Sequence, residues 1–279
     1  MRIDLECFPC LLRQAVEAGR LATEDEEKRL EVVRAALKIL REASPESTPP
    51  LLCLRVHEEV KRITGNADPY RKLKRNFNRM AKKMYPELKR KVSGSPDPLL
   101  TAVKLAIAGN VIDVGPGMDF NLRKTVSEVL AKDLRVNHLG HLRRELDRTG
   151  TLVYLADNAG EVLFDRLLIE TLGKKNVIYV VKKDPLLNDA SREDAEFAGM
   201  EEVAEVVEVE LDPQTVYTPS QAALLREAEL VISKGQGNYE TLEGTGANLF
   251  YLLMIKCPVV ARKLGGRVGD LVVKGERIG

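Results

Sequence analysis

The hydrophobic period of the chain changes near Gly150, and this change limits the folds that the sequence can adopt. After it, short runs rich in β-forming residues recur at 151–156, 176–182, 203–209, 230–233, 258–261 and 270–274. Stretches with helical spacing lie between several of them, at 161–172, 189–199, 220–227 and 245–255. Strands that alternate with helices pair in parallel, and the helices cover both faces of the sheet. We therefore predict a mostly parallel α/β sheet.

The residues before Gly150 carry apolar side chains at helical spacing. This spacing predicts helices at 10–22, 24–42, 50–65, 70–91, 98–112, 119–130 and 136–147. Segments rich in proline and glycine, such as 93–98, separate several of them. We predict two parts, a helical N-terminal region at 1–148 that packs on a Rossmann-like, three-layer α/β/α sheet at 149–279.

Positive and negative side chains are almost equal in number. The 279 residues include 43 Lys and Arg against 42 Asp and Glu, a net charge of +1, so no overall charge favours nucleic acid or a membrane as a partner. No apolar run reaches the roughly 18 residues of a membrane-spanning helix, and the first residues lack the apolar core of a signal peptide. We predict a cytoplasmic protein.

Three of the predicted strands end in polar residues. The first runs into Asp157-Asn158-Ala159-Gly160-Glu161, the second into a segment that contains Asp189, and the fourth into Lys234-Gly235-Gln236-Gly237-Asn238. The carboxyl ends of parallel strands lie at one edge of a sheet, where ligands bind in open α/β folds. We therefore expect Asp157, Asp189 and Lys234 to lie close together.

The chemistry of these residues favours an enzyme that acts on phosphate esters. The carboxylates of Asp157 and Asp189 and the amide oxygen of Asn158 are hard ligands that suit Mg²⁺, Mn²⁺ or similar divalent ions. Lys234 stands beside two glycines, so it can approach a phosphate. We expect Asp157, Asp189 and Lys234 to be catalytic, with water activated by the ion attacking a phosphomonoester. The alternative is that each aspartate only caps the helix that follows it.

Two other segments in the first half of the chain carry candidate residues. Asn110 and Asp113 stand three positions apart at the end of a predicted helix, so they share a face. They either bond within a local turn or line the site. The segment 70–84 is strongly basic, and the expectation is a solvated helix face. Nucleic-acid binding and attraction of anionic substrates are the alternatives for this segment.

The cysteines offer a separate possibility. Cys7-Phe-Pro-Cys10 has the spacing of zinc and redox motifs, but no second Cys-x-x-Cys or His-x-His pair follows it. Cys53 and His57 share a helical face, so a mixed site with Cys7 and Cys10 is one interpretation. Buried structural thiols are the other, and we expect the thiols to be reduced.

Motifs spread over most of the chain resemble those of the metal-dependent damage-control phosphatases, a family long classed as a domain of unknown function. They are Cys7-x-x-Cys10, Gly109-Asn-Val-Ile-Asp113, Asp157-Asn-Ala-Gly-Glu161, Asn188-Asp-Ala-Ser191 with Glu193-Asp-Ala195, and Lys234-Gly-Gln-Gly-Asn238-Tyr-Glu240. The first motif and the length are similar to the stand-alone archaeal or bacterial branch. The resemblance implies a helical region packed on an α/β sheet, and hydrolysis of phosphomonoesters with Mg²⁺, Mn²⁺, Co²⁺ or Ni²⁺.

Matching of these motifs also implies roles for single residues. The implied roles are metal binding by Asp157, Asn158 and Asp189, phosphate binding by Lys234 and Asn238, and lining of the site by Asn110, Asp113 and Glu161. In relatives of the eukaryotic branch the acidic residue falls one position later than Glu161, so Asp165 is an alternative to it. The implied partner is a small phosphorylated metabolite, for which sugar phosphates, nucleotides and damaged cofactor fragments are all suitable.

Two other functions are the alternatives to a phosphatase. Some relatives have been proposed to methylate protein carboxyl groups with S-adenosylmethionine, so a methyltransferase of that kind is the alternative enzyme. No glycine-rich turn follows the first predicted strand to form an adenosine pocket. Outside the enzymes, the alternative is a protein that binds metal or nucleic acid through Cys7, Cys10 and the basic segment.

Overall fold

A mostly parallel sheet lies at the centre of the protein. The computed structural model describes residues 1–109, 122–173 and 176–277. Within these residues a seven-stranded sheet has the order β1-β7-β6-β5-β2-β3-β4, and its neighbours are parallel except for β6 and β7. The strands are β1 (Leu134–Asn137), β2 (Thr151–Leu155), β3 (Asn176–Lys182), β4 (Glu205–Val209), β5 (Leu230–Lys234), β6 (Leu249–Met254) and β7 (Leu271–Gly275). The predicted α/β class and the mostly parallel sheet are confirmed.

Helices precede the sheet and alternate with its strands. The first group is α1 (Cys7–Ala22), α2 (Glu26–Arg41), α3 (Pro49–Thr64), α4 (Arg71–Ser93), α5 (Pro98–Gly109) and α6 (Leu122–Ala131). The second is α7 (Leu139–Arg148), α8 (Val162–Leu172), α9 (Arg192–Ala198), α10 (Pro219–Glu227), α11 (Gln236–Leu242) and α12 (Pro258–Leu264). Short 3-10 turns occur at Ala159–Glu161 and Met200–Glu202. In the part of the chain described, no helix combines the length and the apolar character needed to cross a bilayer.

Two hydrophobic cores cover the two faces of the sheet. Side chains alternate between the faces along a strand. In β6, Phe250 and Leu252 therefore pack into the first core, and Leu249 and Tyr251 pack into the second. Helices α4 to α9 complete the first core, and α10 to α12 complete the second. Burial of apolar surface on both faces produces the three predicted layers.

Two predictions for the last third of the chain are wrong. The segment 245–255, predicted as a helix, contains β6, and the segment 258–261, predicted as a strand, lies in α12. Every residue of β6 is buried, so the strand is apolar throughout and lacks the alternation that identifies a half-buried strand. Pro258 begins α12, where its fixed φ suits the first helical turn, and the two valines that follow suggested a strand.

The prediction of one helix at 136–147 is also incomplete. Leu134–Asn137 form β1, which pairs with β7, and α7 follows it. Four residues are too few for a period of two to stand out in the sequence. A division of the chain at residue 148 therefore leaves one strand of the sheet in the helical region, and the two-part division stays a prediction.

The basic segment of the sequence lies in α4. Apolar side chains of this helix, among them Phe77 and Leu88, pack into the first core. On its exposed side, Arg75 forms an ion pair with Glu193 at 2.7 Å, and Lys89 forms one with Glu170 at 2.7 Å. The other basic side chains of the segment are exposed as expected, but Lys74 is buried and pairs with Asp68 at 2.7 Å, so part of the charge is used within the protein.

A histidine of α3 is buried beside Tyr70. The side chain of His57 on α3 is 2% exposed, and its Nε2 atom has no hydrogen-bond partner among the described residues. The ring of Tyr70 lies 6.1 Å away, between centroids. Burial, and to a smaller extent the charge of Lys61, lower the pKa of His57 from 6.5 to about 4.

We predict that acidification from about pH 6.5 to about pH 4 destabilises the protein through His57. In this interval the unfolded chain binds a proton at His57 and the folded protein does not. The free energy of unfolding should therefore decrease as the pH is lowered, by up to about 1.4 kcal/mol per pH unit from this one group. Urea denaturation across the interval should show a shallower dependence on pH for His57→Phe than for the wild type. Equal slopes would contradict the prediction.

Candidate functional site

The polar ends of β2, β3 and β5 meet at one edge of the sheet, as the sequence predicts. The three strands are neighbours in the order β5-β2-β3, and both pairs are parallel. The backbone nitrogen of Ala190 donates to the carbonyl oxygen of Asp157 at 2.8 Å, and that of Ala159 donates to the carbonyl oxygen of Asn188 at 2.8 Å. The loop after β2 is therefore bonded directly to the loop that carries Asp189.

The pairing of β2 with β3 ends where Leu155 is opposite Val180. Beyond it the backbone of Ala190 lies between the two strand ends, since it donates to Asp157 and accepts from the backbone nitrogen of Lys182 at 3.1 Å. Burial lowers the pKa of Lys182, but the nearby carboxylates of Asp189 and Asp157 raise it overall, so Lys182 and Asp157 are close enough to interact. Because side chains alternate along a strand, Lys182 and Val180 are on the same face of the sheet, where Val180 packs against the second core.

Asp189 is paired with this lysine. The Nζ atom of Lys182 lies 2.9 Å from Asp189 Oδ1, and the backbone nitrogen of Leu186 donates to Asp189 Oδ2 at 3.0 Å. Burial raises the pKa of the Asp189 carboxyl, Lys182 opposes the shift, and the negative charge of Asp157 adds to it. Asp157 and Asp189 therefore act on each other electrostatically, which places both predicted metal ligands in one site.

Neither aspartate caps the helix that follows it. Helix α9 begins after Ser191, whose side chain forms a capping box with Asp194. The 3-10 turn after β2 and helix α8 both begin without a side-chain hydrogen bond to the N-terminus. The N-cap positions are occupied by Asn158, Glu161 and Ser191, so neither aspartate stands where the capping interpretation places it.

Gly235 follows β5 and lies against the carboxylate of Asp157. Its φ of 81° is in the left-handed region. A Cβ atom at this position would lie 1.7 Å from Asp157 Oδ2, which is far inside the contact distance of any two atoms. Both the backbone conformation and the close approach therefore require glycine here.

Lys234, the last residue of β5, belongs to a buried ion cluster. Its Nζ atom lies 2.8 Å from Glu161 Oε2 and 2.7 Å from Asp165 Oδ1, and the side chains of all three residues are 0% exposed. The hydroxyls of Tyr154 and Tyr179 donate to Asp165 at 2.7 and 2.9 Å. We call these five side chains the lysine cluster. A direct phosphate contact by Lys234 stays a prediction.

Asn158 joins the lysine cluster to the predicted metal ligands. Its Nδ2 atom donates to Glu161 Oε1 at 2.6 Å and to Asp157 Oδ2 at 3.1 Å. Burial raises the pKa of Glu161, against the effect of the Lys234 ammonium. Of the two alternative acidic residues, Glu161 is thus bonded to this loop, whereas Asp165 accepts hydrogen bonds from tyrosines of the core.

Asn238, which was expected to bind phosphate, connects three elements. Its Nδ2 atom donates to the carbonyl oxygens of Ala156 at 3.1 Å and Lys234 at 2.9 Å. Its Oδ1 atom accepts from the hydroxyl of Tyr217 at 2.9 Å. Both polar atoms of the side chain are therefore engaged within the protein, and its contact with phosphate stays a prediction.

The oxygen atoms at this edge fit a hard divalent cation in their chemistry. Asp157 and Asp189 supply carboxylates, and the amide nitrogen of Asn158 is used internally, so its amide oxygen is the atom left for a cation. Residues 158 and 189 are also joined by a backbone bridge. Across residues 1–109, 122–173 and 176–277, no group of three or more His, Cys, Asp or Glu side chains is arranged to hold a metal. Metal binding by these three residues stays a prediction.

The predicted and the observed residues of the site differ at several positions. Asn110 and Asp113 lie outside the described residues. Lys182 and Glu240, to which the sequence analysis assigned no role, are at the site. Burial raises the pKa of Glu240 to about 7, the hydrogen bond from Gln236 opposes the shift, and Asp157 adds to it. For Lys182 the sequence did offer a signal, since a lysine at the carboxyl end of an apolar strand lies at the edge where ligands bind.

The alternative Cys/His site is not formed in the part of the chain that the structure describes. His57 is buried in the packing of α3, and the thiol of Cys53 donates to Gln14 Oε1 at 3.4 Å. Burial raises the pKa of Cys7 and of Cys10, which favours protonated thiols over metal-binding or reactive thiolates. All four cysteines of the chain are free thiols, as the sequence predicts.

Comparison with known proteins identifies similar chains of nearly the same length. The family model of the damage-control phosphatase ARMT1-like domain matches residues 3–272. A damage-control phosphatase of Archaeoglobus fulgidus is 34% identical, over 98% of this chain and 99% of the relative. One of Pyrococcus horikoshii is 33% identical, over 98% and 97%. The crystal structure of a DUF89 family protein from Pyrococcus horikoshii superposes with a TM-score of 0.88 at 29% identity, over 99% of this chain and 100% of that one.

We predict that Gly235→Ala destabilises the protein by about 1–3 kcal/mol, because a side chain would strain the backbone and displace Asp157. Gly237→Ala is the matched control, since Gly237 lies in α11 and a Cβ there meets nothing within 4 Å. The control should be neutral or more stable by up to about 1 kcal/mol. Urea denaturation measures both variants, and equal stabilities would show that Asp157 tolerates a side chain beside it.

We also predict that Lys234→Met lowers the free energy of unfolding by about 3–5 kcal/mol, because two buried carboxylates lose their counter-charge. Lys183→Met is the control, since the side chain of Lys183 is 56% exposed and pairs with Glu210 at the surface. The control should leave the stability unchanged within the error of the measurement, because surface substitutions rarely matter. A loss in Lys234→Met no larger than in the control would mean that the lysine cluster does not stabilise the fold.

Proposed function

Because the chain belongs to the damage-control phosphatase ARMT1-like family, we propose that it is a metal-dependent phosphatase of small phosphomonoesters. The relatives from Archaeoglobus fulgidus and Pyrococcus horikoshii are both named damage-control phosphatases. A phosphatase with a metabolite house-cleaning role is the function that this family supports. The finer proposal concerns the metal, the reaction and the class of substrate.

The observation that carries the proposal is the meeting of carboxylate and amide oxygens with two lysines, Lys182 and the buried Lys234, at the edge formed by β2, β3 and β5. Asp157 and Asp189 are close enough to influence each other electrostatically, and Asn158 lies between them and the lysine cluster. Carboxylates can bind a divalent cation and lysines can bind a phosphate dianion, so a site that contains both suits the two ions together. Open α/β sheets bind ligands at this edge.

Asp157, Asn158 and Asp189 would hold a divalent cation, with Mg²⁺, Mn²⁺, Co²⁺ and Ni²⁺ as the proposed ions. Such a cation supplies polarisation of the phosphoryl group and a lower pKa of attacking water. We assign the orientation of the attacking water to Asp189, whose two oxygens are already fixed by Lys182 and by the backbone of Leu186. Fixed acceptors lower the barrier because they need no reorganisation during the reaction.

Neighbouring residues of the chain hold these proposed ligands in position. Gly235 allows the Asp157 carboxylate to lie over the end of β5, and Glu161 fixes the amide of Asn158. The ammonium of Lys234 fixes Glu161 in turn. Groups that hold metal ligands in place commonly change metal affinity or activity about 10- to 100-fold when they are replaced.

The proposed partner is a small phosphorylated metabolite. Lys234 and Asn238 are proposed at its phosphate end on the basis of the resemblance, although their described bonds lie within the protein. Asn110 and Asp113 are proposed to line the same site. A panel of divalent ions and phosphate esters, assayed on chelator-stripped protein, tests the metal and the substrate class together, and activity without any added ion would oppose the proposal.

For the site itself, we predict that Asp157→Ala reduces metal-stimulated hydrolysis of p-nitrophenyl phosphate by at least about 100-fold. The reason is the loss of one proposed carboxylate ligand and of the hydrogen bond that the amide of Asn158 donates to it. Asp184→Ala is the matched control, since Asp184 is exposed on the loop after β3. This variant should retain the activity of the wild type. Activity of Asp157→Ala equal to that of the control would reject this residue as a ligand.

A further inference from the structure

We propose that Lys182 is the lysine that contacts the phosphoryl group of the substrate. This inference rests on the proposed phosphatase function and assigns within it a residue that lies outside the motifs of the family resemblance. It follows from a comparison of the two lysines at the carboxyl edge, Lys182 at the end of β3 and Lys234 at the end of β5.

Lys234 has its charge already compensated. Its ammonium is in contact with two carboxylates, those of Glu161 and Asp165, and its side chain is 0% exposed. The lysine cluster therefore has one positive group for two negative ones. A phosphate that approached it would have to reach a fully enclosed ammonium beside two carboxylates, whose negative charges repel it.

Lys182 is placed differently, because it stands on the other face of the sheet. In β5, Ile232 packs into the first core, so Lys234, two residues later, faces that core and α8. In β3, Val180 packs on the second core, so Lys182 faces the opposite side. The alternation of side chains therefore separates the two lysines at the same edge.

Lys182 lies next to the proposed metal ligands. Its ammonium lies 2.9 Å from Asp189 Oδ1, and the negative charge of Asp157 also acts on it. The side chain is 14% exposed, unlike the fully enclosed Lys234. An ammonium group has three donors, so Lys182 can keep its bond to Asp189 and donate to a phosphate oxygen at the same time.

The balance of charge supports the same assignment. Asp157, Asp189 and Lys182 together carry a net charge of −1 when all three are ionised. A divalent cation bound to the two carboxylates brings this group to +1, which attracts a phosphate dianion. Lys256, another lysine whose charge reaches this edge, follows β6 and is separated from β3 by β5 and β2.

The experiment measures the binding of inorganic phosphate and of Mn²⁺ by calorimetry, together with KM for p-nitrophenyl phosphate. Lys182→Met should bind phosphate about 10- to 100-fold more weakly in the presence of Mn²⁺, and its KM should rise, because a hydrogen bond between charged groups is lost. Its Mn²⁺ affinity should stay within about threefold of the wild type or increase, since a competing cation is removed from Asp189. Lys183→Met, which removes a neighbouring surface charge, is the matched control and should match the wild type in all three measurements.

Lys182→Gln guards against a folding defect, because its amide can still donate to Asp189 while the charge is lost. It should show the same weak phosphate binding with normal Mn²⁺ binding. Phosphate affinity of both variants within about threefold of the wild type would overturn the inference, and so would a parallel loss of Mn²⁺ binding, which indicates that Lys182 only positions Asp189. A wild-type protein that neither binds phosphate with Mn²⁺ nor hydrolyses the ester would instead overturn the proposed phosphatase function.

Discussion

In-register, parallel pairing of β2 with β3 and β5 is the constraint on which the site depends. The backbone hydrogen bonds of these three strands fix which residues are level at the carboxyl edge. Asp157 is held to the Asp189 loop through Ala190 on one side and against Gly235 on the other. A shift of register by one residue would turn every side chain of a strand to the opposite face. The apolar cores on both faces prevent such a shift, so the packing of the sheet and the geometry of the site have the same cause.

Buried charges are the second physical theme of the structure. The ammonium of Lys234 lies within 2.8 Å of both Glu161 and Asp165, and two tyrosine hydroxyls satisfy the remaining acceptors of Asp165. An ion pair in the interior rarely adds much stability over an apolar core. Its value here is specificity of position, because Glu161 in turn bonds the amide of Asn158. The lysine cluster therefore fixes the position of the loop that follows β2 relative to the core.

The helical region takes part in the site through the loop that follows β3. Lys61 of α3 donates to the carbonyl oxygen of Pro185 at 2.9 Å, and Asn78 of α4 donates to Asp194 Oδ1 at 2.6 Å. These bonds fix both ends of the segment that carries Asp189. A proposed ligand on a loop is thereby held by two helices as well as by the sheet, and such support is what keeps a binding geometry constant.

The sequence by itself determined the class of fold, the parallel sheet, and the meeting of Asp157 and Asp189 at one edge, because a change of hydrophobic period and polar strand ends are local properties. Prediction from the sequence failed for strands whose local pattern does not reflect their burial in the tertiary structure. β6 is apolar at every position because both of its faces are covered, so its period was invisible, and β1 is too short to show one. Only the tertiary structure separated Lys234, enclosed by two carboxylates, from Lys182, which faces the proposed ligands. Strand order and the side of the sheet on which a side chain is buried are set by contacts between distant residues, which a single sequence does not display.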